Sequence, residues 1–149
     1  MYIGGHVPPH PGDVDEFMSD FQTWLNEPST LQLHPVEYAA LAHYHLVYIH
    51  PFVDGNGRTA RLLMNYILMR HGFPPVDIRL ADRHVYYETL AEANRGDVRP
   101  FVRLVAKCTR KMLDDYLIIA SVGNKVSKFV DLSMEDIIKT LLNPGAGSI

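Results

Sequence analysis

The chain has 149 residues, 47% hydrophobic and 21% charged, which suits one globular domain with a single core and excludes a disordered or low-complexity protein. A net charge of −3 excludes a dominant nucleic-acid or anionic-membrane partner, which needs a basic excess, so any anion site must be local. The lone Cys108 excludes an internal disulfide and a cysteine-based zinc framework, and no apolar run reaches about 18 residues, so the chain as given reads as soluble.

Met1 to Gly5 reads as a short strand, followed by a Pro/Gly-rich loop to Gly12. A lone strand needs a partner, so the chain is expected to start within a hairpin whose first strand is absent. Asp13 and Glu16 predict a capping box for a helix that carries Val14, Phe17, Met18, Phe21, Trp24 and Leu25 at helical spacing. After a turn at Pro28-Ser29, Pro35 opens a second helix to about Ile49, with Val36, Ala39, Ala40, Tyr44 and Val47 inward. It ends at His50-Pro51.

From Asn56 to about His71 the residues Leu62, Leu63, Met64, Tyr66, Ile67, Leu68 and Met69 leave almost no polar face, which predicts a central helix capped by Gly72 and stopped by Pro74-Pro75. Further helices are expected near Ala81–Asn94 and from Pro100 to about Ala120. Residues 121–132 read as a linker, and Ser133 with Asp136 as the capping box of a short last helix. The fold class is all-α, with a main domain over 1–120 and a linker and tail over 121–149.

The chemistry gathers at Asp54-Gly55-Asn56-Gly57, where a loop enters the most apolar helix. Unpaired N–H groups there face outward at the positive end of the dipole, and two glycines allow a close approach by a phosphate. An ordinary turn would look the same. Arg58 and Arg61 sit at the wrong end of that dipole and share a face, which calls for an anion: either a polyphosphate held by two guanidinium forks, or structural carboxylates. Asp54 is either the helix N-cap or the single carboxylate that a magnesium site takes beside phosphate oxygens. His50 is either a helix-terminal histidine or a general base, since imidazole ordinarily titrates near ~6.5 and can take a proton from a hydroxyl. The other seven histidines show no metal-ligand spacing and read as packing or surface groups.

Taken together, His50-Pro51-Phe52-Val53-Asp54-Gly55-Asn56-Gly57-Arg58-Thr59-Ala60-Arg61 matches the Fic-family signature H-P-F-x-D-G-N-G-R-x-x-R at all nine fixed positions. The chain resembles Fic-domain protein adenylyltransferases from Gly4 to about Cys108, and the metazoan endoplasmic-reticulum enzymes over His34–Met69 and Tyr86–Val102. The resemblance implies a Fic fold, a helical bundle with a short β-hairpin flap, here truncated. It also implies AMP transfer from ATP to a Ser, Thr or Tyr hydroxyl. By the same resemblance His50 is the base, and Asp54 binds the magnesium that bridges the α- and β-phosphates. Gly55, Asn56 and Gly57 surround those phosphates, Arg58 neutralises the leaving pyrophosphate, and Arg61 reaches the γ-phosphate. Tyr86, Tyr87 and Asn94 match the adenine pocket, with core tyrosines and a helix-end asparagine as the plainer readings. Ile3 and Gly4 match the second strand of the flap, which aligns a target by strand pairing.

The family's inhibitory helix, with its S/T-x-x-x-E-G/N motif, is not found in this sequence, which predicts a constitutively active transferase lacking the reverse, AMP-removing reaction. The truncated flap predicts weakened docking of a target and surviving self-modification. By resemblance the target is an endoplasmic-reticulum chaperone of the BiP type, the location is the endoplasmic reticulum within a longer anchored protein, and dimers are common among relatives. Two alternatives stand beside this: a phosphotransferase of the Fic/Doc type, and a non-catalytic nucleotide-binding module.

Overall fold

The computed structural model describes the backbone of residues 7–78 and 83–142, and side chains up to residue 122. The expected strand at the N-terminus, with Ile3 and Gly4, lies outside the described residues. Among those residues the architecture is helical throughout: α1 (Val14–Asn26), α2 (Pro28–Leu31), α3 (Pro35–Ile49), α4 (Asn56–Arg70), α5 (Arg83–Asn94) and α6 (Arg99–Leu142). The chain divides into two compact units, Met1–Leu113 and Asp114–Ile149.

Within the first unit α3 is the central element. Val36, Ala39, Ala40, Ala42, His43, Leu46, Val47 and Ile49 are all buried and make one broad buried face, while Tyr38, Leu41, Tyr44, His45 and Tyr48 on the other side are half-buried and Glu37 is exposed. The three alanines are fully buried, and α3 with α4 forms the most extensive helix pairing. Ala60, Met64, Ile67 and Leu68 of α4, Phe101 and Val105 of α6, Leu90 of α5 and Phe21 of α1 complete one core. The expectation that α4 is the central helix is corrected here: Leu62, Tyr66 and Met69 recur at helical spacing on a face that stays exposed. An apolar face is buried only where a neighbour covers it, and α4's neighbours lie on its other side.

Local signals explain most boundaries. Pro35 stands at the first position of α3, where its missing N–H costs nothing, and the His34 ring accepts the Val36 N–H at 3.2 Å as a cap. Gly72 adopts φ +81 beyond α4, and Phe73 N–H bonds to the Leu68 carbonyl, so the expected left-handed cap is present. Three expectations fail. The Asp13 side chain makes no capping bond, because the chain enters α1 through a 3-10 turn at Pro11–Asp13 in which His10 accepts the Gly12 N–H. The turn at Pro28-Ser29 is a one-turn helix. Residues 121–132 are not a linker but part of α6: Gly123 and Asn124 cost a helix only about 1 kcal/mol or less each, and no proline interrupts the chain between Pro100 and Pro144.

Candidate active site

The site is built where α3 stops and α4 starts. Pro51 cannot continue α3, and His50 takes a left-handed backbone conformation at φ 53, ψ 52 while its N–H still reaches the Leu46 carbonyl. A left-handed histidine is uncommon and costs about 1–3 kcal/mol, the kind of strain that persists at functional positions when the surroundings enforce it. The ring Nδ1 faces the Val47 carbonyl at 3.4 Å. A carbonyl only accepts, so this contact selects the tautomer protonated on Nδ1 and leaves Nε2 as an open acceptor.

Asn56 fixes the loop that follows. Its amide donates to the Phe52 carbonyl at 2.6 Å and accepts the Phe52 N–H at 2.9 Å, so one buried side chain clasps one peptide from both sides. Gly55 then turns the chain at φ +88 into α4, with no side chain capping the helix. Among the described residues the N–H groups of Asn56, Gly57 and Arg58 have no acceptor, which leaves them directed at whatever anion lies ahead of the helix. Asp54 is not the N-cap. Its carboxylate accepts the Gly55 N–H at 2.7 Å and pairs with Arg58 at 2.9 Å, both partners well exposed.

His50, Asp54, Gly55, Asn56, Gly57, Arg58 and Arg61 line one cavity of about 270 Å³, with the exposed Val53 on its rim. The sequence-derived base, phosphate-binding and metal residues therefore share one space. The two arginines differ. Arg58 has taken the structural ion pair, worth about 1 kcal/mol or less at such exposure, and can exchange it for a phosphate. Arg61 has no carboxylate or hydrogen-bond partner among the described residues, so its charge is free for a ligand. Asp54 fits magnesium in donor type, being an exposed carboxylate at the cavity edge. No group of three or more His, Cys, Asp or Glu residues that could hold a metal without a ligand's help occurs among the described residues.

The residues matched to an adenine pocket do not line this cavity. Tyr86 is buried, with its hydroxyl 3.4 Å from His43 Nε2, and burial pushes its pKa up to about 12 against the opposing effect of Arg61. Tyr87 is half-buried with the Arg83 guanidinium 5.5 Å above its ring, and Asn94 is half-buried at the end of α5. Sequence reasoning missed the clasp made by Asn56 and the buried pair of His43 and Tyr86. Neither has a local pattern, since each depends on which backbone or ring the fold brings near.

Residues 2–68 match the Fic/DOC family. A Nematostella vectensis "Protein adenylyltransferase Fic" is 61% identical over 117 residues, 78% of this chain and 27% of that protein; the Aedes aegypti protein of the same name is 60% identical over 117 residues, 78% of this chain and 23% of its own length. Among solved structures, a Fic-1 fragment from C. elegans superposes with a TM-score of 0.68 at 51% identity, covering 78% of this chain and 35% of that one. The chain thus spans about a quarter of the length of these curated relatives. With the signature intact at the head of α4, this similarity in sequence and the shared helical fold, the chain belongs to the Fic/DOC family.

Proposed function

We propose that this chain is a protein adenylyltransferase that moves AMP from ATP to a Ser, Thr or Tyr hydroxyl of a target protein. The observation that carries the reading is one cavity holding an open imidazole nitrogen, a row of unsatisfied helix N–H groups and an arginine without a carboxylate. In this reading His50 Nε2 takes the proton of the incoming hydroxyl, whose oxygen forms a bond to the α-phosphorus. The bond from that phosphorus to the β-bridging oxygen breaks, and pyrophosphate leaves. Helix N–H groups from Asn56 to Arg58 hold phosphate oxygens, Arg58 exchanges Asp54 for the leaving pyrophosphate, and Arg61 meets the γ-phosphate. Asp54 would hold magnesium, which when bound neutralises phosphate charge. Tyr87 and Asn94 contact the adenine, and Tyr86 supports them from within the core.

As the finer reading, carried over from the family resemblance of the signature alone, we propose a chaperone target of the BiP type within the endoplasmic reticulum, self-modification as a second outcome, and a homodimer as the working assembly. The test is intact-mass analysis after incubation with ATP and magnesium, run with ATP labelled on either the α- or the γ-phosphate. The expected result is a gain of one AMP that carries the α label; label arriving only from the γ position overturns AMP transfer in favour of phosphate transfer. His50→Ala is expected to lower transfer at least ~100-fold, and unchanged transfer in that variant would remove the base from its role.

A further inference from the structure

The loop between α3 and α4 carries an apolar side chain that the fold does not use. Val53 is fully exposed, so its isopropyl group takes no part in the core. Exposed valines are common on surfaces and call for no account by themselves. This one lines the cavity that holds His50, Asp54 and the head of α4. It is also presented on a fixed backbone. On its N-terminal side the Phe52 peptide is clasped by Asn56, at 2.9 Å through the N–H and 2.6 Å through the carbonyl. On its C-terminal side the Asp54 carboxylate accepts the Gly55 N–H at 2.7 Å and pairs with Arg58 at 2.9 Å. An apolar group held in place before its partner arrives loses little freedom on contact, which favours recognition.

In the transfer reaction the cavity receives two occupants, the nucleotide and the hydroxyl-bearing segment of the target, and their chemistry separates them. Phosphates need N–H donors and cations, and the cavity supplies both, at the head of α4 and at Arg58 and Arg61. An isopropyl group offers neither. The acceptor hydroxyl, by contrast, must stand at His50 Nε2. Val53 follows His50 by three residues, so their α-carbons lie within about 11 Å of each other. An extended segment advances about 3.3 Å per residue, so two or three residues beside the acceptor span that distance.

We propose that Val53 is a specificity-determining residue for the target: it makes an apolar contact with an aliphatic side chain within about three residues of the modified hydroxyl, and so favours acceptor sites with apolar neighbours. This role rests on the reading of the cavity as the site of AMP transfer to protein. Val53 has no contact with ATP in it and no part in the chemical step.

The experiment gives the full chain ATP, magnesium and one of two synthetic peptides that share a single central threonine, with either leucine or asparagine at the two positions on each side. AMP addition to the peptide is followed by mass, and ATP affinity is measured separately. The unaltered chain is expected to use the leucine peptide at least about tenfold better in kcat/KM, the size of effect that one apolar contact supplies. Val53→Asn is expected to bring the two peptides within about threefold of each other, by raising KM for the leucine peptide with kcat nearly unchanged, and Val53→Ile to keep the preference. ATP affinity is expected to stay within about twofold of the original in both variants. Because the side chain is exposed, both should unfold at the temperature of the unaltered chain. Equal use of the two peptides by the unaltered chain, an undiminished preference in Val53→Asn, or a loss of ATP affinity in that variant overturns the proposal. A chain that adds AMP to itself but to neither peptide also overturns it and leaves AMP transfer standing, whereas a chain that adds AMP to nothing overturns the reading of the cavity and the role of Val53 with it.

Discussion

Asn56 does for the loop what no glycine could. By bonding both the N–H and the carbonyl of Phe52 it makes a closed ring that sets where His50 and Asp54 stand relative to the head of α4, and Asn65 repeats the device on the N–H and carbonyl of Val76 beyond the other end of α4. Asn56→Ala would leave two polar groups of Phe52 without partners, so urea unfolding should show a loss of about 1–3 kcal/mol, with transfer falling alongside as the loop loosens. The two glycines beside it separate stability from function. Gly55 holds φ +88, a left-handed conformation strained for any L side chain, so Gly55→Ala should destabilise by about 1–2 kcal/mol even though the added Cβ would meet nothing nearer than ordinary contact with Arg58. Gly57 is a helical residue with open space around an added Cβ. Gly57→Ala should therefore raise stability by up to about 1 kcal/mol, while the new methyl group stands where phosphate oxygens approach the helix N–H groups and weakens ATP binding. Thermal unfolding and ATP titration of one variant check both directions; a Gly57→Ala protein that is more stable and binds ATP as before would place the phosphates elsewhere.

At the scale of helices, α3 brings histidines into an apolar interior. His43 is held down to about 3, chiefly by burial, and burial also lowers His45. The unfolded chain binds these protons near 6.5 and the folded chain does not, so between about pH 6.5 and 3 the unfolded state carries more protons and stability falls as pH falls. One such group gives a slope of up to about 1.4 kcal/mol per pH unit. Urea unfolding at steps from pH 7 to pH 5 should show this decline, and His43→Gln should make it shallower. A protein equally stable at both ends would mean that neither ring is buried uncharged. These histidines also mark where the sequence stopped being readable. The start of α3 at Pro35, the glycine cap after α4 and the chemical signature from His50 to Arg61 are local patterns, set by steric limits and fixed spacing, and they were legible. The rank of α3 over α4 was not, because Leu62, Tyr66 and Met69 look as ready for burial as Met64 and Leu68, and only the position of neighbouring helices separates them. Nor was the clasp of Asn56 legible, since its partner is a backbone peptide that any sequence supplies.

For the molecule as a whole, α6 belongs to both compact units and changes character along its length. Phe101, Leu104, Val105 and Thr109 are buried and Cys108 and Met112 half-buried, whereas Tyr116, Leu117, Ile118, Ile119 and Val122 are exposed on all sides of the helix. The core of the first unit thus receives its last α6 side chains by about Met112, close to its boundary at Leu113. Each element of the cavity, from His50 to Arg61, lies in that unit, as do His43 and Tyr86. These exposed side chains add nothing to the interior that orients the loop from His50 to Asn56. Ending the chain at Ala120 should therefore change the stability of the first unit by no more than about 0.5 kcal/mol, the range of surface changes that touch no buried group. Transfer by the shortened chain should equal that of the full chain when self-modification is followed by intact mass. Unchanged stability with lost transfer would show that residues 121–149 take part in presenting a target, whereas a fall in both would mean that the first unit draws support from α6 beyond the point where its side chains leave the core.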